Sequence, residues 1–253
     1  LLEIVSARLR PVGERREKSV AVLIPTRNEK GNIGAALDRL PKLGSHTEVI
    51  FVDGHSTDGT LEEVERQAAA RPDMDITWYS QDGKGKGDAV RKGFGLAKSD
   101  ILMILDADLT VPPEELPKFY EAIVEGKGEF INGSRMVYPM EDRAMRFLNV
   151  LGNKFFSIVF TWLLDQRFKD TLCGTKVLTR ENYMKVAANR SYFGDFDPFG
   201  DFDLIFGAAK LNLKITEVPI RYRERTYGTT NISRFSHGWI LLKMCVYAYK
   251  KIK

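Results

Sequence analysis

Cysteine and histidine are scarce in this chain of 253 residues, which holds two cysteines and three histidines. Cys173 and Cys245 lie far apart and form no C-x-x-C pair, so neither a disulfide framework nor a thiolate zinc site is indicated. Such cysteine usage fits the reducing cytoplasm. His46, His55 and His237 are scattered along the chain, so the sequence offers no obvious histidine to act as a general base.

Blocks of like charge and long apolar runs are also missing. The 38 lysines and arginines and the 34 aspartates and glutamates give a net charge of +4, and no basic tail suggests a nucleic-acid partner. The two most apolar stretches, Phe155 to Leu164 and Trp239 to Tyr249, would form helices of about 15 Å, roughly half of the ~30 Å hydrocarbon thickness. Neither is expected to span a bilayer, and each could pack in the core or lie in a membrane interface.

Short apolar runs alternate with amphipathic segments from Ser19 onward, which predicts βαβ units and a mostly parallel sheet in a single α/β domain over residues 19–253. Residues 1–18 are rich in charge and are expected to be an arm or the end of a neighbouring domain. The predicted strands are the nearly continuous apolar runs Val20–Ile24, Val49–Val52, Ile76–Tyr79, Ile101–Leu105, Phe130–Asn132 and Ile215–Tyr222.

Helix signals lie between these runs. Thr60 and Glu63 have the spacing of a capping box, and the proline pair that begins at Pro112 could open a later helix. A long helix is predicted from Ala144 to Leu164. The second half of the chain is less regular, and we interpret it as part of the same domain and not as an independent one.

Acidic residues follow two of the predicted strands at their carboxyl ends, where ligands bind in open parallel sheets. Asp53 comes after the second strand, and Asp106 and Asp108 come after the fourth. Two carboxylates beside a buried strand are costly unless they meet positive charge, and Mg²⁺ or Mn²⁺ bound by carboxylates, phosphate oxygens and water would supply it. The alternative is that these residues only end their strands and cap the turns that follow.

A glycine-rich loop, Gly83-Lys84-Gly85-Lys86-Gly87, precedes a predicted helix. It could offer main-chain N–H groups and two ammonium groups to a phosphate. The loop is not a Walker A motif, because no Lys-Ser or Lys-Thr follows the required spacing, and it lacks the G-x-G-x-x-G of a nicotinamide site. A plain flexible turn is the alternative interpretation.

Seven motifs in a fixed order give the chain a family resemblance. They are IPTRNE at 24–29, VDGHSTDGT at 52–60, GKGKGDAVRKG at 83–93, DADLTVPPEE at 106–115, GSR at 133–135, DTLCGTKVLTRE at 170–181 and EVPIRYRERTYGTT at 217–230. The chain resembles the family 2 glycosyltransferases of GT-A fold, and within them the dolichyl-phosphate mannose synthase-like and polyprenyl-phosphate glycosyltransferases. The resemblance covers about residues 19–242 and implies a Rossmann-like, mostly parallel sheet flanked by helices.

The resemblance also implies roles for particular residues. The nucleotide sugar would be held by Pro25, Arg27, Glu29, Asp53, Lys86 and Asp106. The divalent metal, Mg²⁺ or Mn²⁺, would be held by Asp106 and Asp108. The catalytic residues would be Asp108, Arg135 and Asp170. The acceptor phosphate would meet Arg135, Arg146 and Arg225.

Two departures from the family pattern bear on these roles. Relatives often continue the acidic pair as DADLQ, whereas this chain has Thr110, so a third protein ligand to the metal is not expected. Relatives usually carry Ser-Lys after the late glycine, whereas this chain reads Gly228-Thr229-Thr230. Because that lysine is missing, the resemblance gives weaker grounds for assigning acceptor binding to this segment.

The implied reaction is inverting transfer of a sugar from a GDP- or UDP-sugar to a polyprenyl, dolichyl-type phosphate at the cytoplasmic face of a membrane. A phosphate monoester is largely ionised near pH 7, since its second pKa is about 6, so Asp170 would orient the acceptor or balance charge. With a saccharide hydroxyl as acceptor, Asp170 would be the leading base candidate. A non-catalytic nucleotide-sugar-binding module and a nucleotidyltransferase are the alternatives from other classes.

Overall fold

A seven-stranded sheet forms the centre of the molecule in the computed structural model, which describes residues 17–138, 147–190, 200–228 and 234–252. The strands are β1 (Val20–Thr26), β2 (Thr47–Asp53), β3 (Asp75–Ser80), β4 (Ile101–Ile104), β5 (Phe130–Ser134), β6 (Lys176–Thr179) and β7 (Ile215–Pro219). Their order across the sheet is β3-β2-β1-β4-β6-β5-β7. Strand β6 runs antiparallel to both of its neighbours, and the other pairs are parallel.

Helices cover both faces of this sheet, so the prediction of a single, mostly parallel α/β domain is confirmed. They are α1 (Ile33–Asp38), α2 (Thr60–Ala69), α3 (Lys86–Leu96), α4 (Leu116–Val124), α5 (Phe147–Leu164), α6 (Arg180–Ala188), α7 (Asp201–Lys210) and α8 (Arg234–Ile252). Short 3-10 turns precede α1 and α4, at Lys30–Asn32 and Pro113–Glu115. The second of these turns confirms that the proline pair opens a helix.

Alternate side chains of β1 enter two separate hydrophobic clusters, one on each face of the sheet. Ala21 and Leu23 belong to the cluster that packs against α3, α5, α7 and α8. Val22 and Ile24 belong to the cluster that packs against α1, α2 and α4. Because both faces of the strand are buried, its sequence is continuously apolar, as predicted.

Three details of the sequence prediction are wrong. Strand β6 was not predicted, because a four-residue strand gives almost no periodicity. Strand β7 ends at Pro219, three residues before the predicted end at Tyr222. Thr60 and Glu63 form no capping box: Gly59, with φ 85°, precedes the helix, and Glu63 accepts hydrogen bonds from Arg66 and Gln67 instead.

Candidate active site

The carboxyl ends of β1, β2 and β4 meet at one edge of the sheet. In the β1–β2 register Thr26 lies opposite Asp53, and in the β1–β4 register Leu23 lies opposite Ile104. The main chain leaving β4 is fixed at this level, since the N–H of Leu105 donates to Leu23 O at 2.9 Å. The predicted donor-binding and metal-binding segments are therefore neighbours in space.

Asp106 lies in this edge against the first turn of α3. Its Oδ1 is 2.6 Å from Lys86 Nζ. Burial raises the pKa of Asp106, but the charges of Lys86, Lys176 and Arg135 outweigh burial, so the pKa lies below its ordinary value. The carboxylate is held ionised among cations, an environment that suits an anionic ligand.

Gly174 allows Asp106 to occupy this position. A Cβ on Gly174 would lie 1.9 Å from Asp106 Oδ2 and 2.6 Å from Lys86 Nζ, so a larger side chain cannot fit without displacing the pair. Lys176, two residues further, is fully buried, and its ammonium group donates to the main-chain oxygen of Cys173. Sequence reasoning assigned no role to these residues, although the motif at 170–181 contains them.

Asp108 is held by a neutral residue, Thr110, and by a positively charged one, Arg225. Its Oδ1 accepts hydrogen bonds from the N–H of Thr110 at 3.1 Å and the hydroxyl of Thr110 at 2.8 Å. Its Oδ2 accepts a hydrogen bond from Arg225 Nη2 at 2.8 Å, and Arg225 Nη1 donates to Glu29 Oε1 at 2.7 Å. Arg225, predicted to meet the acceptor phosphate, thus bridges two residues predicted to serve the donor and the metal.

The residues present fit a divalent cation that shares its ligands with a diphosphate. Within the described residues, no group of three or more histidine, cysteine, aspartate or glutamate side chains could hold a metal ion on its own. Asp106 and Asp108 offer two carboxylates, and Mg²⁺ typically takes one or two carboxylates together with substrate phosphate oxygens and water. The two carboxylates are therefore sufficient as protein ligands to the metal when a nucleotide diphosphate supplies further oxygen ligands.

Three other residues predicted to bind the nucleotide lie on the same edge. Asp53 is buried, and its carboxylate accepts hydrogen bonds from the N–H of Ser56 at 2.9 Å and the hydroxyl of Ser56 at 2.5 Å. Asp53 therefore caps its turn, the alternative that the sequence left open. Arg27 is exposed beyond the end of β1, and Pro25 is half-buried within that strand.

The glycine-rich loop is partly closed to phosphate. The carboxylate of Asp88, in the first turn of α3, accepts the N–H groups of Asp82 at 3.1 Å and Gly83 at 2.7 Å. One N–H group of the loop, that of Gly83, and the N–H of the residue before it are thus already bound within the protein. Lys86 remains directed at Asp106, as described above.

Arg135 and Asp170 form a second, buried part of the site. Asp170 Oδ2 accepts from Arg135 Nε at 2.7 Å and from the N–H of Arg135 at 2.9 Å. Its Oδ1 accepts from Arg135 Nη2, Asn153 Nδ2 and the N–H of Leu172, at 2.8, 2.8 and 3.0 Å. Burial raises the pKa of Asp170, but the pair with Arg135 and the other hydrogen bonds hold it at about 2.

Glu217 and Asn132 hold the segment that carries Asp170. Glu217 on β7 accepts the N–H groups of Lys169 and Asp170 at 2.9 Å, and Asn132 on β5 donates to the main-chain oxygen of Asp170 at 2.6 Å. Burial raises the pKa of Glu217. These two positioning residues were missed because they lie far along the chain from each other and from the segment that they hold. A polar residue within an apolar strand, Asn132, was the available signal.

The structure brings together most of the predicted site residues. Lys86 pairs with Asp106, and Arg225 pairs with both Glu29 and Asp108. Arg135 and Asp170 pair with each other and act on Asp106 through the charge of Arg135. Arg146 lies outside the described residues.

The chain matches proteins that transfer sugars. A family model described as Glycosyl transferase family 2 matches residues 21–187. Dolichol-phosphate mannosyltransferase of Pyrococcus furiosus is 38% identical over 217 residues, which make up 84% of this chain and 59% of that protein. Dolichyl-phosphate hexose transferase of Haloferax volcanii is 29% identical over 230 residues, or 90% of this chain and 92% of that protein.

Solved structures share the same architecture. Glucosyl-3-phosphoglycerate synthase from Mycobacterium tuberculosis, crystallised with Mn²⁺ and UDP-glucose, superposes with a TM-score of 0.64 at 18% identity, covering 98% of this chain and 85% of that chain. At this identity the likeness concerns the fold alone. It confirms the predicted GT-A architecture.

Proposed function

The chain belongs to glycosyl transferase family 2, and we propose that it moves a sugar from a nucleotide-diphosphate sugar to a polyprenyl phosphate at a membrane surface. Relatives named as dolichol-phosphate or dolichyl-phosphate sugar transferases support a polyprenyl phosphate as the acceptor. The ion-paired carboxylates at the sheet edge support a nucleotide-diphosphate sugar as the donor.

The observation that carries the proposal is the state of Asp170. This carboxylate is fully buried, accepts five hydrogen bonds and has a pKa held at about 2. A group so acidic and so fully bonded is a poor proton acceptor near neutral pH. An acceptor hydroxyl would find a poor base in Asp170, whereas a phosphate monoester arrives already ionised because its second pKa is about 6.

Arg135 is the residue that we expect to meet the acceptor phosphate. Asp170 fixes its guanidinium through Nε and Nη2, and the ring of Tyr222 lies 5.1 Å from its central carbon. A guanidinium fixed in this way loses little conformational entropy when it binds a phosphate. We assign Asp170 the role of orienting Arg135 and not of deprotonating the acceptor.

The donor diphosphate would lie against Asp106, Asp108 and the cations beside them. A divalent metal held by the two aspartates would act as a Lewis acid and stabilise charge on the leaving diphosphate. Lys86 and Arg225 would add positive charge at the same place. An acceptor phosphate oxygen would bond to the anomeric carbon as the bond from that carbon to the diphosphate oxygen breaks. Direct displacement of this kind inverts the anomeric configuration.

Two neighbouring helices offer a surface for the membrane. We call it the apolar face, and its exposed members are Leu151, Phe155, Ile158 and Trp162 on α5 and Trp239, Leu242, Val246 and Tyr249 on α8. On each helix they recur every three or four residues and so form one stripe. The stacked rings of Trp162 and Tyr249, with centroids 5.6 Å apart, join the two stripes.

Charge favours an anionic membrane as the partner of the apolar face. The sequences of α5 and α8 contain no aspartate or glutamate, and they carry Lys154, Lys243, Lys250 and Lys251 among their basic residues. Each basic side chain near an anionic lipid surface contributes about 1 kcal/mol of attraction. Among the described helices, none combines the length and apolar character that crossing a membrane requires. We propose that α5 and α8 lie in the membrane interface, with the apolar face towards the lipid.

A reconstituted transfer assay tests the proposal. The protein would be incubated with GDP- and UDP-sugars, Mg²⁺ or Mn²⁺, and a polyprenyl phosphate in anionic vesicles, and both products would be identified. We expect a glycolipid and a nucleoside diphosphate, and no product in excess EDTA. Release of inorganic diphosphate would identify a nucleotidyltransferase instead. Tight donor binding without turnover on any acceptor would favour a binding module, and transfer to a saccharide but not to lipid phosphate would refute the acceptor assignment.

A further inference from the structure

Each carboxylate of the acidic pair already binds a cation that belongs to the chain. Lys86 Nζ is 2.6 Å from Asp106 Oδ1, and Arg225 Nη2 is 2.8 Å from Asp108 Oδ2. We infer that Arg225 competes with the divalent metal for Asp108 and thereby makes tight metal binding depend on the nucleotide diphosphate. This inference rests on the donor site of the proposed function, and it adds a role for Arg225 within that site.

The two oxygens of Asp108 are not equivalent. Oδ1 accepts both the N–H and the hydroxyl of Thr110, at 3.1 and 2.8 Å, so its lone pairs are engaged by a neighbour only two residues away. Oδ2 is the oxygen that Arg225 occupies. A metal approaching Asp108 therefore meets the positive charge of Arg225 at Oδ2, because the Thr110 bonds engage Oδ1 and fix the rotation of the carboxylate.

Arg225 can leave Asp108 and still keep a second partner, Glu29. Its Nη1 donates to Glu29 Oε1 at 2.7 Å, and this bond can persist when Nη2 is released. Glu29 is itself held by Asn32, whose Nδ2 donates to Oε2 at 2.7 Å. The guanidinium would then turn about a fixed carboxylate and present Nη2 to another anion.

The main chain that carries Arg225 is held in place on both sides of this residue. Residues 220–228 follow β7 and form no helix or strand. Ile220 N–H donates to Ser134 O at the end of β5, and Arg225 reaches Glu29 beyond the end of β1. Arg223 N–H donates to Thr110 O at 2.8 Å, and the Tyr227 ring packs so closely on Gly31 that a Cβ there would lie 2.5 Å from it. These two contacts hold the segment on both sides of Arg225, so the side chain can turn while the main chain stays.

A diphosphate changes the balance because it supplies anionic oxygens to both competitors. It offers Arg225 a new partner, for which a guanidinium is well matched, and it offers the metal the ligands that two aspartates cannot provide. Without a diphosphate, a metal that binds Asp108 gains one carboxylate oxygen but weakens the ion pair between Asp108 and Arg225. Metal and nucleotide should therefore bind with positive coupling, and Arg225 should account for part of that coupling.

The opposite role for Arg225 is support of Asp108. If the guanidinium only orients the carboxylate for the metal, removing it should weaken metal binding. Competition and support thus predict effects of opposite sign on one measured constant, which makes the test decisive.

The experiment is a titration of the full chain with Mn²⁺, with free Mn²⁺ followed by its EPR signal, alone and with GDP or UDP. In Arg225→Gln we expect Mn²⁺ alone to bind about five- to tenfold more tightly than in the wild type, as the loss of a competing, partly exposed ion pair allows. The tightening of Mn²⁺ binding by nucleotide should fall by a similar factor. Arg39→Gln, which breaks an exposed ion pair with Glu114 that includes none of the predicted site residues, is the matched control and should change neither value.

A second variant, together with a check of folding, separates the effect of Arg225 on metal binding from an effect of misfolding. Arg225→Lys keeps the charge but cannot bond Glu29 and Asp108 at once in the same way, so we expect a smaller tightening of about twofold. Circular dichroism melting curves check that each variant folds. The inference is overturned if both variants bind Mn²⁺ alone as weakly as the wild type or more weakly, while nucleotide still tightens Mn²⁺ binding in the wild type. Absence of any Mn²⁺ binding with nucleotide would overturn the donor site of the proposed function as well.

Discussion

Arg135 donates two hydrogen bonds to Asp170, from Nε to Oδ2 at 2.7 Å and from Nη2 to Oδ1 at 2.8 Å, in a buried part of the site. Opposite charges so enclosed depend on each other, because either one alone would be buried without compensation. The pair fixes the direction of the guanidinium and keeps the carboxylate ionised. Both consequences can be measured.

Replacing Asp170 with Asn should destabilise the fold by about 3 kcal/mol, since it leaves the Arg135 charge buried without its partner. Urea denaturation at pH 7 measures the change. The matched control is Glu114→Gln, which breaks a pair of the same two-bond geometry with Arg39 on the surface, at 2.8 Å for each bond. The control should cost less than about 1 kcal/mol because exposed pairs are screened by water. Equal losses would contradict the structural role assigned to Asp170.

The contribution of Asp170 to stability should be insensitive to pH across the neutral range. Its pKa in the folded protein is about 2, below the value of about 3.9 expected in the unfolded chain, so the stabilisation is complete above pH 4 or so and is lost as pH falls towards 2. The stability difference between wild type and Asp170→Asn should therefore be the same at pH 7 and pH 5 and smaller at pH 3. A difference that already shrinks between pH 7 and pH 5 would mean that the carboxylate titrates much higher than we state.

Replacing Gly174 with Ala should damage the donor site more than the fold. The added Cβ would lie 1.9 Å from Asp106 Oδ2, and a displacement of about 1 Å in a reacting site can cost on the order of 100-fold in kcat/KM. Steady-state kinetics with saturating acceptor measures this loss. Gly95→Ala is the control, because a Cβ at that exposed position of α3 has nothing within 4 Å. It should retain activity and gain about 0.5–1 kcal/mol of stability from helix propensity. Comparable activity in the two variants would argue against the assigned position of Asp106.

Charging the apolar face should abolish membrane binding without affecting chemistry in solution. Ile158 is 62% and Val246 52% exposed, so the double variant Ile158→Glu, Val246→Glu should fold normally. We expect its partition into anionic vesicles to fall more than about tenfold, since two apolar side chains lose their burial and two negative charges meet the surface. Vesicle co-sedimentation measures the partition, and a water-soluble short-chain prenyl phosphate serves to check activity.

The control for the apolar face is Met184→Glu, at a residue of α6 that is exposed to a similar degree but lies outside that face. It should bind vesicles like the wild type. If the double variant also bound normally, the helices would not be the membrane contact. If it lost activity on the short-chain acceptor as well, the change would have damaged the site itself.

The sequence predicted the half of the site that follows the parallel strands. Apolar runs of strand length located β1, β2 and β4, and in a parallel sheet the residues that follow such strands must share an edge. Glu29, Asp53, Asp106 and Asp108 could be placed for this reason. The order of the motifs added the family, which the family model confirms.

Other relationships came only from the tertiary structure. Strand β6 is too short to show a period, and its antiparallel place between β4 and β5 brings Gly174 against Asp106. Helices α5 and α8 carry apolar residues on more than one side, so only their packing shows which stripe is buried and which is exposed.

The bridge made by Arg225 is the clearest case. This arginine lies 196 residues from Glu29 and 117 from Asp108, and no local pattern relates them. Sequence alone determined which charged groups exist and which strand each one follows, because those properties depend on neighbours along the chain. Which cation meets which carboxylate was decided by the path of an irregular segment across the sheet edge, and that path depends on packing over the whole domain.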